Sequence, residues 1–202
     1  MKALIIIDMQ NDFMPGGSLA VPGGDQIIPL VNSLQEKFDL VIATQDWHPD
    51  NHSSFAENHT GKSEFEQINL DGIQQVLWPV HCIQTTSGAD FHPHLNVSRI
   101  EAIFRKGTDS KIDSYSGFYD NAHKKSTGLS GYLKGKGVTS LYFCGLAADY
   151  CVSYSALDAL AEGFKVTLYE DATRAIDDNN FEEMKKQIIA GGGRIKYAEE
   201  KF

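Results

Sequence analysis

Leu141-Tyr-Phe-Cys-Gly-Leu-Ala-Ala-Asp-Tyr-Cys151-Val-Ser-Tyr is an apolar run that ends at a glycine, followed by small residues and the opening of a helical pattern. A strand over Ser140–Cys144 that gives way within a few residues to a helix over Val152–Glu162 is half of a parallel-sheet unit. The turn also delivers Cys151 to the first turn of the helix. Unpaired N–H groups and a positive dipole end there favour thiolate over thiol. The competing reading is a buried packing thiol.

The same alternation runs outward in both directions. Strands are predicted at Ala3–Ile7, Leu40–Thr44, Ala102–Arg105, Lys165–Tyr169 and Arg194–Lys196, several of them apolar on consecutive positions, as a sheet covered on both faces requires. Helices fit the gaps at Gln26–Lys37, Gly128–Lys136, Val152–Glu162 and Asn179–Ala190, with glycines after the last three. The order calls for an α/β fold with a mostly parallel, doubly wound sheet of about six strands and helices on both faces. We expect one domain over 1–202, with a long insert at about 46–99.

Composition fits a globular enzyme. The chain has 202 residues, 42% hydrophobic and 22% charged, enough for a sizeable core. A net charge of -9 argues against nucleic acid or an anionic membrane as partner. The N-terminal apolar stretch is interrupted by Asp8, and no window approaches the roughly 20 apolar residues of a membrane span. Three cysteines without disulfide spacing suit a reducing cytoplasm.

In open parallel sheets, ligands bind beyond the carboxyl ends of the strands. Asp8 follows the first strand, Asp46 the second, Lys106 the third, the Gly145–Cys151 turn the fourth and Asp171 the fifth. Asp8, Lys106 and Cys151 form a chemically complete set: a thiol to attack, an ammonium to lower its pKa, and a carboxylate to move the proton. Each alone has an ordinary alternative, as a turn cap, a solvated charge or a packing thiol.

The insert at 46–99 is poor in regular pattern and holds six of the seven histidines. Asp46 and His48, two apart on an extended strand end, point the same way and can reach one metal ion. His81, in Trp78-Pro-Val-His81-Cys82, is the third candidate. Three protein ligands with open positions describe a catalytic metal site. His52 is either an outer ligand or an exposed loop histidine. His59, His92, His94 and His123 are read as structural, Cys144 as a core thiol, and Gly16-Gly17 and Gly23-Gly24 as turns.

Longer stretches then match a known family. Ile7-Asp-Met-Gln-Asn-Asp-Phe13, Thr44-Gln-Asp-Trp-His-Pro-Asp-Asn-His-Ser-Ser-Phe55 and Trp78-Pro-Val-His-Cys82 are three of them. Gly88-Ala-Asp-Phe-His-Pro93, Lys106-Gly-Thr-Asp109, Asp113-Ser-Tyr-Ser-Gly-Phe118 and Cys144-Gly-Leu-Ala-Ala-Asp-Tyr-Cys-Val152 follow in order. Together they resemble the nicotinamidases (pyrazinamidases) of the isochorismatase-like, or cysteine hydrolase, superfamily. Two departures lie at supporting positions. Ile83-Gln-Thr-Thr-Ser-Gly88 lacks the Gly and Pro usual at its second and fourth positions, and Ala148 stands where Thr is common.

The resemblance implies a triad of Asp8, Lys106 and Cys151 and a divalent metal on Asp46, His48 and His81, with zinc the expected ion and iron or manganese the alternatives. It also implies a cis peptide between Leu146 and Ala147 that turns the Ala147 N–H, with that of Cys151, toward an oxyanion. Phe13, Trp78, Tyr115 and Leu146 match the pocket that holds the pyridine ring. The implied reaction is hydrolysis of nicotinamide to nicotinate and ammonia, in NAD salvage. Two alternatives stay open: another hydrolase of the superfamily, such as an isochorismatase or a carbamoyl-amide hydrolase, and a flavodoxin-like binding module with a structural cysteine.

Overall fold

The computed structural model describes residues 1–198. Six parallel strands form one sheet in the order β5-β2-β1-β6-β7-β8. They are β1 (Lys2–Ile7), β2 (Leu40–Asp46), β5 (Ile100–Lys106), β6 (Ser140–Leu146), β7 (Lys165–Arg174) and β8 (Arg194–Lys196). β1 is central, and its side chains alternate between the two faces of the sheet. Leu4 and Ile6 join the core formed with Ile28, Val31 and Leu34 of α1 (Ile28–Gln35). Ala3, Ile5 and Ile7 face α2 (Leu129–Gly135), α3 (Ser153–Ala161) and α4 (Asp178–Ala190), through residues such as Leu133, Ala156 and Ile188. Each fully buried Leu or Ile contributes about 1.5–3 kcal/mol. The expected doubly wound sheet, with helices on both faces, is the fold observed. Among the described residues, no helix is long and apolar enough to cross a membrane.

Register then places the chemistry. Asp46 and Lys106, the last residues of β2 and β5, are paired across the ladder, and Ile7 pairs with Gly145. Asp8, Asp46, Lys106 and the turn after β6 therefore share one edge of the sheet. Gly145 has φ +111, and a Cβ there would lie 2.1 Å from the Ile7 carbonyl oxygen, so only glycine lets β6 pass β1 at this point.

Three elements differ from the sequence reading. The 46–99 insert contains an antiparallel hairpin, β3 (Gln67–Leu70) and β4 (Ile73–Val76), closed by Asp71 and Gly72 at positive φ. An Asp-Gly pair between short strands is a strong hairpin signal, but the polar flanks Gln67, Asn69, Gln74 and Gln75 obscure the alternation. β7 runs five residues past the expected Tyr169 to Arg174, through a register shift where Gly145 pairs with Thr173. The segment Ala148–Val152 is a wide π-type turn, with the Val152 N–H on the Ala147 carbonyl (3.1 Å), so the regular helix begins only at Ser153.

Candidate active site

Cys151 lies in that wide turn and is buried. Its Sγ is 3.4 Å from Lys106 Nζ. The same ammonium is 2.9 Å from Asp8 Oδ2, 3.0 Å from Asp46 Oδ1 and 3.1 Å from the Ser114 carbonyl oxygen. Four acceptors surround three N–H protons, so Lys106 is held at the junction of the cysteine, the carboxylate and the second constellation. Asp8 takes a left-handed backbone, φ 45, immediately after β1, and the Thr44 hydroxyl donates to its Oδ1 at 2.6 Å.

These contacts set the proton inventory. Burial pushes the Cys151 thiol well above its usual range; Lys106 opposes this, while Asp8 and Asp46 add to it. Lys106 thus faces the sulfur as the sequence reading expected, while burial and the two carboxylates work against a thiolate there. Burial likewise raises Asp8, against the pull of Lys106. Burial opposes the charge on Lys106, but Asp46 and Asp8 outweigh it and keep the ammonium protonated. A thiol beside a carboxylate with raised proton affinity is an arrangement chemically suited to a nucleophile and its base.

The second constellation abuts the first. His48 Nε2 is 3.1 Å and His81 Nε2 3.5 Å from Asp46 Oδ2. His48 Nδ1 bonds the Gly107 carbonyl at 2.9 Å and His81 Nδ1 the Pro79 carbonyl at 2.8 Å. A carbonyl can only accept, so both Nδ1 atoms carry protons. In the neutral rings the Nε2 lone pairs then converge on a carboxylate. Burial opposes a charge on His48, yet Asp46 overrides it and raises the pKa. The convergent lone pairs and the raised proton affinity express one demand for positive charge, which a divalent cation meets. All three donor residues are buried, and their ligand atoms lie within 4.8 Å of one another. Gly107 makes the approach possible: at φ +64, a Cβ there would be 2.3 Å from His48 Cε1.

Supporting residues fix this frame. Gln10 donates to the Asp46 carbonyl (2.8 Å) and accepts from the Asp46 N–H (2.8 Å). Asp12 accepts the Cys82 N–H at 2.7 Å, tying down the loop that carries His81. The divergent stretch after Cys82 still closes its turn, with Thr86 Oγ1 donating to the Ile83 carbonyl at 2.8 Å. His52 is not an exposed loop residue. Its ring lies 4.2 Å from that of His48, its Nδ1 meets the Ser54 hydroxyl at 2.7 Å, and its Nε2 is buried without a hydrogen-bond partner among the described residues. Burial lowers its pKa to about 4.

A cavity of about 330 Å³ of atom-free space, mouth included, opens above both sets. Phe13, Trp78, Tyr115, Ala147, Cys151, Asp46 and His81 line it. The Leu146–Ala147 peptide is cis, as the resemblance implied. Leu146 does not line the cavity; its side chain is fully buried in the core against Gly24. Asp171 stands apart, its carboxylate accepting the Ala198 N–H at 2.9 Å. Leu19, Asp113, Tyr150 and Ile176 also line the pocket, and the sequence reading missed them as such. Asp113 lay within a quoted motif and Tyr150 beside the cysteine; Leu19 and Ile176 carry no local signal. Asp149 secures Ile176, accepting the N–H groups of Ile176 and Asp177 at 3.0 Å each.

Comparison with known proteins agrees with this geometry. The isochorismatase domain model matches residues 2–195. The chain belongs to the isochorismatase domain family. It is 48% identical over 191 residues to a nicotinamidase of Acinetobacter baylyi, covering 94% of this chain and 89% of that protein. The solved Acinetobacter baumanii nicotinamidase/pyrazinamidase superposes with a TM-score of 0.95 at 49% identity, covering 97% of this chain and 95% of the other. The pyrazinamidase of Pyrococcus horikoshii, solved in complex with zinc, superposes with a TM-score of 0.80 at 40% identity, covering 97% and 98%. The flavodoxin-like module with an inert cysteine is thereby set aside.

Proposed function

We propose that the protein is a nicotinamidase, hydrolysing nicotinamide to nicotinate and ammonia through a thioester on Cys151. The observation that carries the reading is Lys106, whose single ammonium touches Cys151, Asp8 and the Asp46 of the convergent donor set. It joins a nucleophile to the place where a ring substituent of the amide is held.

Asp8 takes the thiol proton as Sγ bonds the amide carbonyl carbon. The resulting oxyanion is stabilised by the backbone N–H groups of Ala147 and Cys151. As the C–N bond breaks, Asp8 returns its proton to nitrogen and ammonia leaves. Asp8 then takes a proton from water as the water oxygen attacks the thioester and returns it to sulfur as the C–S bond breaks, and the acid product leaves and ionises to nicotinate. Throughout, Lys106 remains charged and balances the changing charge of Asp8 and sulfur. Phe13, Trp78 and Tyr115 sandwich the pyridine ring. Asp46, His48 and His81 would hold a divalent cation, zinc in this reading, which would supply a Lewis acid for the ring nitrogen. His52 Nε2 faces the neighbourhood of His48 as an outer contact.

In this reading 1–202 is one hydrolase domain whose 46–99 insert builds the donor set and a pocket wall, working in the cytoplasm in NAD salvage. Pyrazinamide, a diazine of the same shape, is a second substrate. The purified protein should release ammonia stoichiometric with nicotinate when given nicotinamide. Absence of both products from metal-loaded protein contradicts the proposal.

A further inference from the structure

Gln75 is a polar residue buried to 3% exposure on β4, in a hairpin otherwise largely open to solvent. Its carboxamide leaves the hairpin and reaches the loop that carries the pocket wall. Nε2 is 2.9 Å from Asp113 Oδ2, 3.2 Å from the Tyr115 hydroxyl and 2.7 Å from the Val76 carbonyl. Turning the amide over would set its oxygen against the Asp113 carboxylate, so the Asp113 contact requires the N–H₂ end. Asp113 and Tyr115 both line the cavity above Cys151. Asp113 is otherwise secured by the Ser114 N–H on Oδ1 at 2.7 Å. The Tyr115 and Trp78 rings meet edge to face at 6.1 Å.

The structure assigns Gln75 the role of a positioning residue: its buried carboxamide, delivered by the β3–β4 hairpin, fixes Asp113 and Tyr115 as one wall of the ring pocket. The inference rests on the nicotinamidase reading. Gln75 touches none of Cys151, Asp8 or Lys106 among its hydrogen bonds, and both groups it holds face the bound ring. Removing it therefore loosens ring binding more than it slows the bond-breaking steps. Two buried groups would also lose a donor, which low-dielectric surroundings make costly.

The test uses the metal-loaded full chain. Gln75→Leu keeps the volume and deletes the donors; KM for nicotinamide rises about tenfold with kcat within about twofold, the size of one lost hydrogen bond to a charged group. Tyr115→Phe removes the hydroxyl that Gln75 reaches. In the Gln75→Leu background it adds less than about twofold, because linked partners are not additive. Gln75→Glu has the native shape and sets two carboxylates together, so it raises KM as well and serves should Gln75→Leu fail to fold. Unchanged KM in Gln75→Glu, or effects of Gln75→Leu and Tyr115→Phe that multiply independently, overturn the assignment. Wild-type protein assayed in parallel separates the two claims: its failure to turn over nicotinamide contradicts the function, whereas variants that match an active wild type contradict only the role of Gln75.

Discussion

Lys106 is the residue on which the electrostatics of the site depend. Its ammonium is fully buried between two carboxylates, and it is the cation that the ion pairs show facing both. Lys106→Met removes that charge and leaves the Asp8 carboxylate facing Asp46 without its cation. Thermal or denaturant unfolding should show a loss of about 3–5 kcal/mol, the usual cost of stranding a buried charge. Asp8 behaves oppositely. Its raised pKa means that the folded protein binds this proton more tightly than the unfolded chain does. The stability linked to that proton is present below the unfolded pKa and is lost as pH rises through the folded value. Asp8→Asn should therefore fold with a Tm at neutral pH no lower than wild type, while kcat falls by at least about 10³-fold. In the wild type, kcat/KM should have an acid limb above the ordinary aspartate value of 3.8, reporting protonation of the base. A limb at or below that value would contradict the assignment of Asp8.

Elements matter through what their ends present. β2 and β5 end on the registered pair Asp46 and Lys106, and the glycine after Lys106 both clears His48 and offers its carbonyl to His48 Nδ1. Gly107→Ala forces that ring away. Metal affinity measured by competition with a chelator should fall by about 10–100-fold, the range found when the partner orienting a ligand histidine is lost. Unchanged affinity would show that the carbonyl does not orient the ring. The strands were readable because β-branched runs over Ala3–Ile7 and Leu40–Thr44 are buried on both faces. The hairpin was not, since its side chains face mostly solvent and only Gln75 is buried. The extension of β7 was hidden for another reason. Glu170, Asp171, Thr173 and Arg174 look like loop chemistry, and they remain in a strand because the register shifts beside Gly145.

For the molecule as a whole, the two constellations share one sheet edge, and that convergence was legible from polar residues at the strand ends. What was not legible was burial. A cysteine at a helix start suggests a thiolate, but spacing gives no sign of the burial and the two carboxylates that oppose one at Cys151. Nor could spacing alone place Leu19 and Ile176 on the cavity or remove Asp171 and Leu146 from it; those depend on how the loops fold over the sheet. The donor set lies inside the folded frame, so a bound ion stabilises the native state and not the unfolded chain. Removing it with a chelator should lower Tm and abolish turnover, and re-addition of zinc should restore both.

The most direct test is the rate of ammonia release from nicotinamide by wild-type protein and Cys151→Ala, with metal content measured on the same samples. The wild type should turn over nicotinamide, the variant at least about 10³-fold more slowly, with equal metal occupancy in the two. Cys151→Ala that turns over at the wild-type rate, with its metal in place, would contradict the role of Cys151 as nucleophile.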